Sequence, residues 1–302
     1  GYRDKLPQLR YCSQAGGHMP AYVKRELLKV LPSHTRLVVM YGATEASARL
    51  TCLDPSFYES KMDSVGKPIA GTSIQVVDEQ GHVLPANAIG ELIAKGPGIM
   101  SGYWNNPEAT LKTIINGWLY TGDMGYVDPE GYLYVLGRYK SLLISDDGEK
   151  YSPEGIEETI TDRSPLIDQM MLFNNQNKYT TALIVPNTEA LVRWAKGNNI
   201  SVTDPNAAES VLRSIEQVIS QYERGGIYDN LFPSRWLPSA IAILDEPFNT
   251  DNKQLNSLGK MVRSKIVERH KDKIDFLYTP EAKNIVNPRN IEAIRNILAV
   301  KQ

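Results

Sequence analysis

The 302 residues carry 33 Lys and Arg against 35 Asp and Glu, a formal charge of −2, with 42% hydrophobic and 23% charged residues. These proportions are those of a soluble globular protein of two or three domains, and the charge balance gives no general pull toward nucleic acid or an anionic membrane. No apolar run approaches the roughly 18 residues needed to cross a bilayer, which excludes a transmembrane span and leaves only peripheral membrane contact open.

Along residues 1–63 the element type alternates. Leu9 to Cys12 predicts a short strand. Pro20 then opens a helix whose Val23, Leu27, Val30 and Leu31 recur at helical spacing. Leu37 to Tyr41 is a continuous apolar run, as expected of a buried parallel strand. This is the tail of an α/β layered domain. Residues 64–137 differ: Ile74–Asp78, Glu91–Ala94 and Tyr132–Leu136 read as short strands, separated by the turn signals Glu79-Gln80-Gly81, Asn116-Gly117 and Asp128-Pro129-Glu130-Gly131. They predict a small β-barrel-like subdomain. Asn106-Pro107-Glu108 begins a helix within it, with Asn as cap and Pro in the first turn.

From residue 138 the pattern is that of a separate α+β domain. Ser152-Pro153-Glu154 caps a helix, and Met170–Phe173 and Thr181–Val185 are strands. A long helix places Val211, Leu212, Ile215, Val218, Ile219 and Tyr222 on one face and stops at Gly225-Gly226, and residues 261–300 are mostly helical. The fold class expected is α/β multidomain.

Cys12 and Cys52 are too few for a disulfide framework and pack as small apolar residues, and the four histidines show no zinc-ligand spacing. A reducing, cytoplasmic compartment is expected. The opening Gly-Tyr-Arg-Asp has no secretory leader, and Leu6 to Tyr11 reads as a strand entered partway through a domain, so an N-terminally truncated chain is expected.

Several clusters carry chemistry. Tyr41-Gly42-Ala43-Thr44-Glu45 follows the buried strand at its C-terminal end, where open α/β sheets bind ligands. It offers an aromatic face for a base, a hydroxyl for a phosphate and a carboxylate for Mg²⁺. Read alone, it is also a strand ending in a polar turn. Gly16 and Gly17 allow close approach to a flat ligand, or form an ordinary loop. Asp123, after Gly122 and between two hairpin strands, suits a pair of ribose hydroxyls, or is a turn Asp satisfying its own backbone. Gly137-Arg138-Tyr139-Lys140 joins the β-rich region to the last domain. Arg138 can add a ribose contact and Lys140 can absorb a domain rotation, unless the run is simply a basic linker. Asp146-Asp147-Gly148-Glu149 lacks calcium-loop spacing and is a loop. Lys260 stands behind the flexible Gly259.

In order, Tyr41–Glu45, Tyr120-Thr121-Gly122-Asp123, Gly137–Lys140, Gly148–Pro153 and Gly259-Lys260 resemble the later motifs of the adenylate-forming, AMP-binding superfamily of acyl-CoA synthetases, peptide-synthetase adenylation domains and firefly luciferase. Gly71–Asp78, Gly90-Glu91-Leu92 and Gly96–Trp104 agree, so the resemblance spans nearly the whole chain. The stretch Trp194–Phe248 and the run Ile274–Tyr278 are most similar to bacterial long-chain fatty acid–CoA ligases.

The resemblance implies ATP-dependent activation of a fatty carboxylate to acyl-AMP and transfer to coenzyme A, with Mg²⁺. It implies that Tyr41 stacks on adenine, that Gly16, Gly17 and Gly42 line the nucleotide pocket, that Thr44 meets the α-phosphate and that Glu45 holds Mg²⁺. Asp123 and Arg138 would hold the ribose, Lys140 would be the hinge of a mobile last domain, Gly148 would meet the pantetheine thiol, and Lys260 would bridge carboxylate and α-phosphate. Acyl–carrier-protein ligases and peptide-synthetase adenylation domains share these motifs. A non-catalytic nucleotide- or partner-binding chain is the reading from another class.

Three departures stand out. The Ser/Thr/Gly-rich loop for the ATP β- and γ-phosphates is absent, so the chain by itself is expected to be inactive. Asn256-Ser257-Leu258 replaces the usual Pro-Arg-Thr, and Gly155 stands where a helix Glu is usual. Chain length of the acyl group and oligomeric state are not legible.

Overall fold

The computed structural model describes residues 5–17, 19–201 and 204–299. The chain divides into two compact units, Gly1–Lys140 and Ser141–Gln302. The architecture is α/β multidomain, as the sequence predicts. Among the described residues no helix is long and apolar enough to cross a membrane.

Unit 1 begins with a βαβ turn. Strand β1 (Tyr11–Gln14) runs parallel to β2 (Arg36–Tyr41), with helix α1 (Ala21–Val30) between them in sequence. The predicted strand at Leu9–Cys12 therefore starts two residues late. Leu9 and Arg10 instead give their carbonyls to the Thr35 hydroxyl and the Arg36 N–H. The face of α1 also differs from the pattern. Leu27 and Leu28 pack on the core, Val30 is exposed, and the buried helical residue is Lys24, whose Nζ donates to the Met62 carbonyl at 2.7 Å. Burial pushes the Lys24 ammonium pKa down. Strands β3 (Thr51–Leu53) and β4 (Lys67–Pro68) extend the sheet antiparallel.

The second sheet of unit 1 holds β5 (Ser73–Val77), β6 (Gly90–Lys95), β7 (Ile114–Ile115), β8 (Trp118–Val127) and β9 (Leu133–Arg138), all antiparallel. It is an open half-barrel in the order β5-β6-β8-β7, with β9 against the far half of β8. Helix α2 (Pro107–Thr113) enters as predicted, with Asn106 Oδ1 accepting from the Ala109 N–H at 3.1 Å. The two sheets share apolar contacts: Tyr132, just before β9, lies in one cluster with Leu37, Val39 and Leu53 of the first, and Tyr134 of β9 packs against it.

Unit 2 opens with the hairpin β10 (Leu143–Ser145) and β11 (Lys150–Tyr151), followed by helix α3 (Glu154–Arg163). Ser152 does not cap α3: the cap position is Pro153, which has no side-chain acceptor to offer. Strand β12 (Ile167–Phe173), β13 (Asn175–Asn177, parallel to β10), β14 (Thr180–Pro186) and β15 (Pro238–Ile243) follow. β12, β14 and β15 form a mixed sheet with β14 central.

Every residue of β14 is buried, which explains its unbroken apolar run: both faces are covered. Alternate residues go to opposite sides. Met170, Leu172, Ile184, Ile241 and Ile243 face a core shared with α3, α4 (Thr188–Gly197), α5 (Ala207–Ser220) and, later in the chain, α8 (Pro288–Ala299). Met171, Leu183, Val185, Ala240 and Ala242 face one shared with α6 (Arg263–Arg269) and α7 (Lys271–Leu277). Helix α5 stops at Ser220, well before Gly225, because the chain turns at once and Tyr222 tucks its ring beside Tyr228 and Phe232.

Each rim of this sheet is clasped at one point by side chains. On β12, the Leu172 N–H donates to Glu157 Oε1 at 2.6 Å, and Arg263 Nη1 donates to the Leu172 carbonyl at 3.3 Å. On β15, Asn290 Nδ2 donates to the Ile241 carbonyl and its Oδ1 accepts from the Ile243 N–H, both at 2.9 Å.

Candidate nucleotide-binding site

Parallel pairing of β1 and β2 brings their C-terminal ends to the same edge, so Gly16-Gly17 and Tyr41–Glu45 leave the sheet side by side. Gly16 has φ +89°, and a Cβ at Gly16 or Gly17 would meet nothing within 4 Å, so the backbone there is open to a ligand. Beyond β2 the chain folds tightly back on itself. The Leu50 N–H donates to the Tyr41 carbonyl at 2.8 Å, Thr44–Ala46 form one 3₁₀ turn, and a Cβ on Gly42 would lie 2.3 Å from the Ala48 carbonyl oxygen. Gly42 is required by that close approach. Thr44 is exposed at the start of the turn.

Asp123 does not sit in a turn between hairpin strands. It lies inside β8, where Thr121, Gly122 and Asp123 together oppose the single residue Leu92 of β6. Gly122, at φ +70°, makes this bulge, and its N–H donates to Glu91 Oε1 at 3.1 Å. The Thr121 hydroxyl donates to the Leu92 carbonyl at 2.7 Å and accepts the Asp123 N–H at 3.1 Å. The bulge re-aims the Asp123 carboxylate, buried to 7% exposure, toward the end of β2. Tyr41 Oη donates to Asp123 Oδ2 at 2.6 Å, and Arg138 Nε lies 3.0 Å from Oδ1. Arg138 Nη1 also donates to the Thr121 carbonyl at 2.8 Å, while most of the guanidinium side chain is exposed.

Glu45 stands on the same edge. Tyr103 Oη donates to its Oε1 at 2.7 Å, and its main-chain carbonyl accepts the Met100 N–H at 2.8 Å. The Tyr103 hydroxyl, then the backbone amide and the charge of Arg138, hold the Glu45 carboxyl below the usual range, against a smaller desolvation effect. The carboxylate is therefore anionic, with one oxygen committed to Tyr103. A single such oxygen suits Mg²⁺, which keeps most of its shell as water and phosphate. Among the described residues there is no group of three or more His, Cys, Asp or Glu that could hold a metal by protein ligands alone.

Unit 1 thus gathers Tyr41, Glu45, Asp123 and Arg138. Lys140 is its last residue, exposed in the 3₁₀ turn Tyr139–Ser141. Gly148 and Lys260 belong to unit 2. Gly148, at φ +85° with nothing near a Cβ, forms the β10–β11 turn. That turn is braced by residues with no local signal in the sequence: Glu149 accepts from Arg235 Nη2 at 2.6 Å and from Trp236 Nε1 at 3.0 Å, and Trp236 stacks on Tyr151 with ring centroids 5.1 Å apart.

Lys260 ends a tight loop closed by the Leu255–Met261 bridge, in which Asn256 Oδ1 accepts from the Leu258 and Lys260 N–H groups at 2.9 and 3.0 Å. Asn256, one of the departures, is the residue that shapes this loop. Sequence reasoning gave no role to Tyr103, Thr121 or Glu91. All three lie in stretches that carry the resemblance, Gly96–Trp104, Tyr120–Asp123 and Gly90–Leu92, which is the signal that could have found them.

The sequence matches the family model of the AMP-binding enzyme over residues 1–104 and that of the AMP-binding enzyme C-terminal domain over residues 140–282. The probable acyl-activating enzyme 16, chloroplastic, of Arabidopsis thaliana is 33% identical over 255 residues, covering 79% of this chain and 34% of that protein. The 2-succinylbenzoate–CoA ligase of Bacillus cytotoxicus is 44% identical over 120 residues, 40% of this chain and 24% of that protein. The matched part of the chain therefore spans only a quarter to a third of the length of these curated relatives.

Among solved structures, the o-succinylbenzoate coenzyme A synthetase of Bacillus subtilis in complex with ATP and magnesium superposes with TM-score 0.60 at 24% identity, over 87% of this chain and 49% of that one. The anthranilate CoA ligase AuaEII in complex with anthranoyl-AMP gives TM-score 0.61 at 21% identity, over 89% and 46%. At these identities the likeness is one of fold.

Proposed function

The chain belongs to the AMP-binding enzymes, and from that premise we propose that it serves the ATP-dependent activation of a carboxylic acid and its transfer to coenzyme A. In the first step a carboxylate oxygen attacks the ATP α-phosphorus and pyrophosphate leaves, giving acyl-AMP. In the second the thiol sulfur attacks the acyl carbon and AMP leaves. The observation that carries the reading is the Asp123 carboxylate, buried in the β8 bulge and flanked by Tyr41 and the exposed Arg138 at a strand-end edge.

In this reading Asp123 and Arg138 receive the ribose hydroxyls, and Tyr41 presents its ring to adenine. Gly16 and Gly17 let the nucleotide approach the backbone, and Gly42 permits the tight turn that presents Tyr41 and Thr44 to it. Thr44 donates to the α-phosphate and Glu45 holds Mg²⁺, which neutralises phosphate charge when bound. Lys260 is the cation of the first step, worth a few kcal/mol in a dry site. Gly148 is the open backbone of the second, and Lys140 the hinge between the two steps.

The acid is proposed to be aromatic, of the 2-succinylbenzoate kind, because that is what the named ligases act on. The resemblance of Trp194–Phe248 to long-chain fatty acid ligases has no counterpart among those names.

The test is pyrophosphate release and acyl-AMP formation with 2-succinylbenzoate, benzoate and palmitate in parallel, in the protein as its gene encodes it. Turnover of the aromatic acids is expected. Turnover of palmitate alone would restore the fatty-acid reading, and no acyl-AMP with any acid would remove the ligase assignment.

A further inference from the structure

Glu157 and Arg263, 106 positions apart, form an ion pair with no role in the chemistry above. The Arg263 side chain is 14% exposed and that of Glu157 3%. Each partner also bonds one peptide group of Leu172, the carboxylate taking its N–H and the guanidinium its carbonyl. Burial drives the Glu157 carboxyl pKa up, and the charge of Arg263 opposes that shift. A buried ion pair of this kind adds little net stability over an apolar pair of similar volume, but its fork of hydrogen bonds fixes one geometry.

What that geometry fixes is the Lys260 loop. Arg263 follows Lys260 by three residues and begins α6. The loop is rigid within itself: Asn256 N–H donates to the Lys260 carbonyl, and the Val262 N–H donates to the Gln254 carbonyl, at 2.9 and 2.8 Å. Gln254 is buried and its side-chain amide meets His270 Nε2 at 3.2 Å. A rigid loop is aimed by whatever holds its base, and Arg263 ties that base to β12 and α3.

We propose that Glu157 and Arg263 are positioning residues for Lys260, docking its loop on the β12 rim so that the adenylate-forming step, and not the thioester-forming step, depends on the ion pair. This rests on the ligase reading given above.

The test uses Glu157→Gln, which keeps an acceptor for the Leu172 N–H, and Arg263→Lys, which keeps the charge but loses the fork. The Glu157→Met/Arg263→Met double variant leaves no unpaired buried charge if a single change unfolds the protein. Acyl-AMP formation and thioester formation from supplied acyl-AMP are measured separately. Tryptic cleavage after Lys260 is followed by mass spectrometry, with cleavage after the exposed Arg224 as internal control.

About tenfold or greater slowing of acyl-AMP formation is expected, at unchanged KM for ATP and with thioester formation within about twofold. Cleavage after Lys260 should speed up while cleavage after Arg224 does not. Equal loss of both steps, or both cleavages rising together, overturns the proposal in favour of a purely structural pair. If the wild-type protein as its gene encodes it makes no acyl-AMP, the ligase reading is overturned instead, and the cleavage ratio then decides whether the pair aims the loop.

Discussion

Tyr41 and Asp123, 82 positions apart, meet through a 2.6 Å hydrogen bond that ties the end of β2 to the bulge of β8. Burial first, then the Asp123 charge and its hydrogen bond, push the Tyr41 phenol pKa far up, so the hydroxyl stays a donor. Asp123→Asn keeps an acceptor for Tyr41 and removes the charge beside Arg138. Calorimetric AMP affinity should fall about tenfold or more, since hydrogen bonds to charged groups contribute roughly 1.5–3 kcal/mol. Unchanged AMP affinity would take Asp123 out of the site.

Lys260→Ala should slow acyl-AMP formation about 100-fold or more, as removal of one well-aimed donor does elsewhere, and spare thioester formation from supplied acyl-AMP. Rapid-quench measurement of each step decides it. An equal loss in both would mean that the lysine serves folding rather than the first transition state.

Tyr103→Phe should change the titration of Glu45. The Glu45 carboxyl is held low chiefly by the Tyr103 hydroxyl. A depressed folded-state pKa contributes stability above the unfolded carboxylate value, and that contribution is lost as pH falls through the folded value. The group is largely open to solvent, so the contribution is under about 1 kcal/mol. In the variant, the NMR titration midpoint of the Glu45 carboxyl should climb toward the ordinary range. A midpoint that does not move would assign the shift to the backbone amide.

Asn290→Ala strips β15 of its side-chain partner. The Ile241 carbonyl and the Ile243 N–H of β15 would be left buried without it, and the Ile285 carbonyl would lose the same donor. The expected cost is about 2–4 kcal/mol, read as a lower urea midpoint at unchanged slope. A loss below about 1 kcal/mol would mean that water takes over these bonds.

Where one residue's neighbours in sequence are its neighbours in space, the sequence was legible. The period of Val211–Ile219 and the Asn106-Pro107 cap appear as predicted. The apolar run Leu37–Tyr41 is a strand as predicted, but it is parallel only to β1 and antiparallel to β3, and only its Leu37 and Val39 are buried. The strand-end placement of Tyr41–Glu45 follows from the same logic. Asp123 misled because a glycine with positive φ looks the same in sequence whether it ends a strand or bulges one; only pairing with Leu92 tells them apart. Ser152-Pro153 offered cap chemistry one residue too early. The Glu157–Arg263 pair, the Trp236–Glu149 brace and the Tyr103–Glu45 bond join residues 58 or more positions apart. No periodicity or propensity reports such pairs, since it is the packed sheet that brings them together.

The side chains on Leu172, Ile241 and Ile243 have a consequence beyond the single molecule. A stray strand from another copy, arriving at Leu172 on one flank or at Ile241 and Ile243 on the other, finds donors and acceptors there already engaged. At those positions the ladder cannot be extended, and Pro238, which opens β15, adds a residue with no N–H to offer.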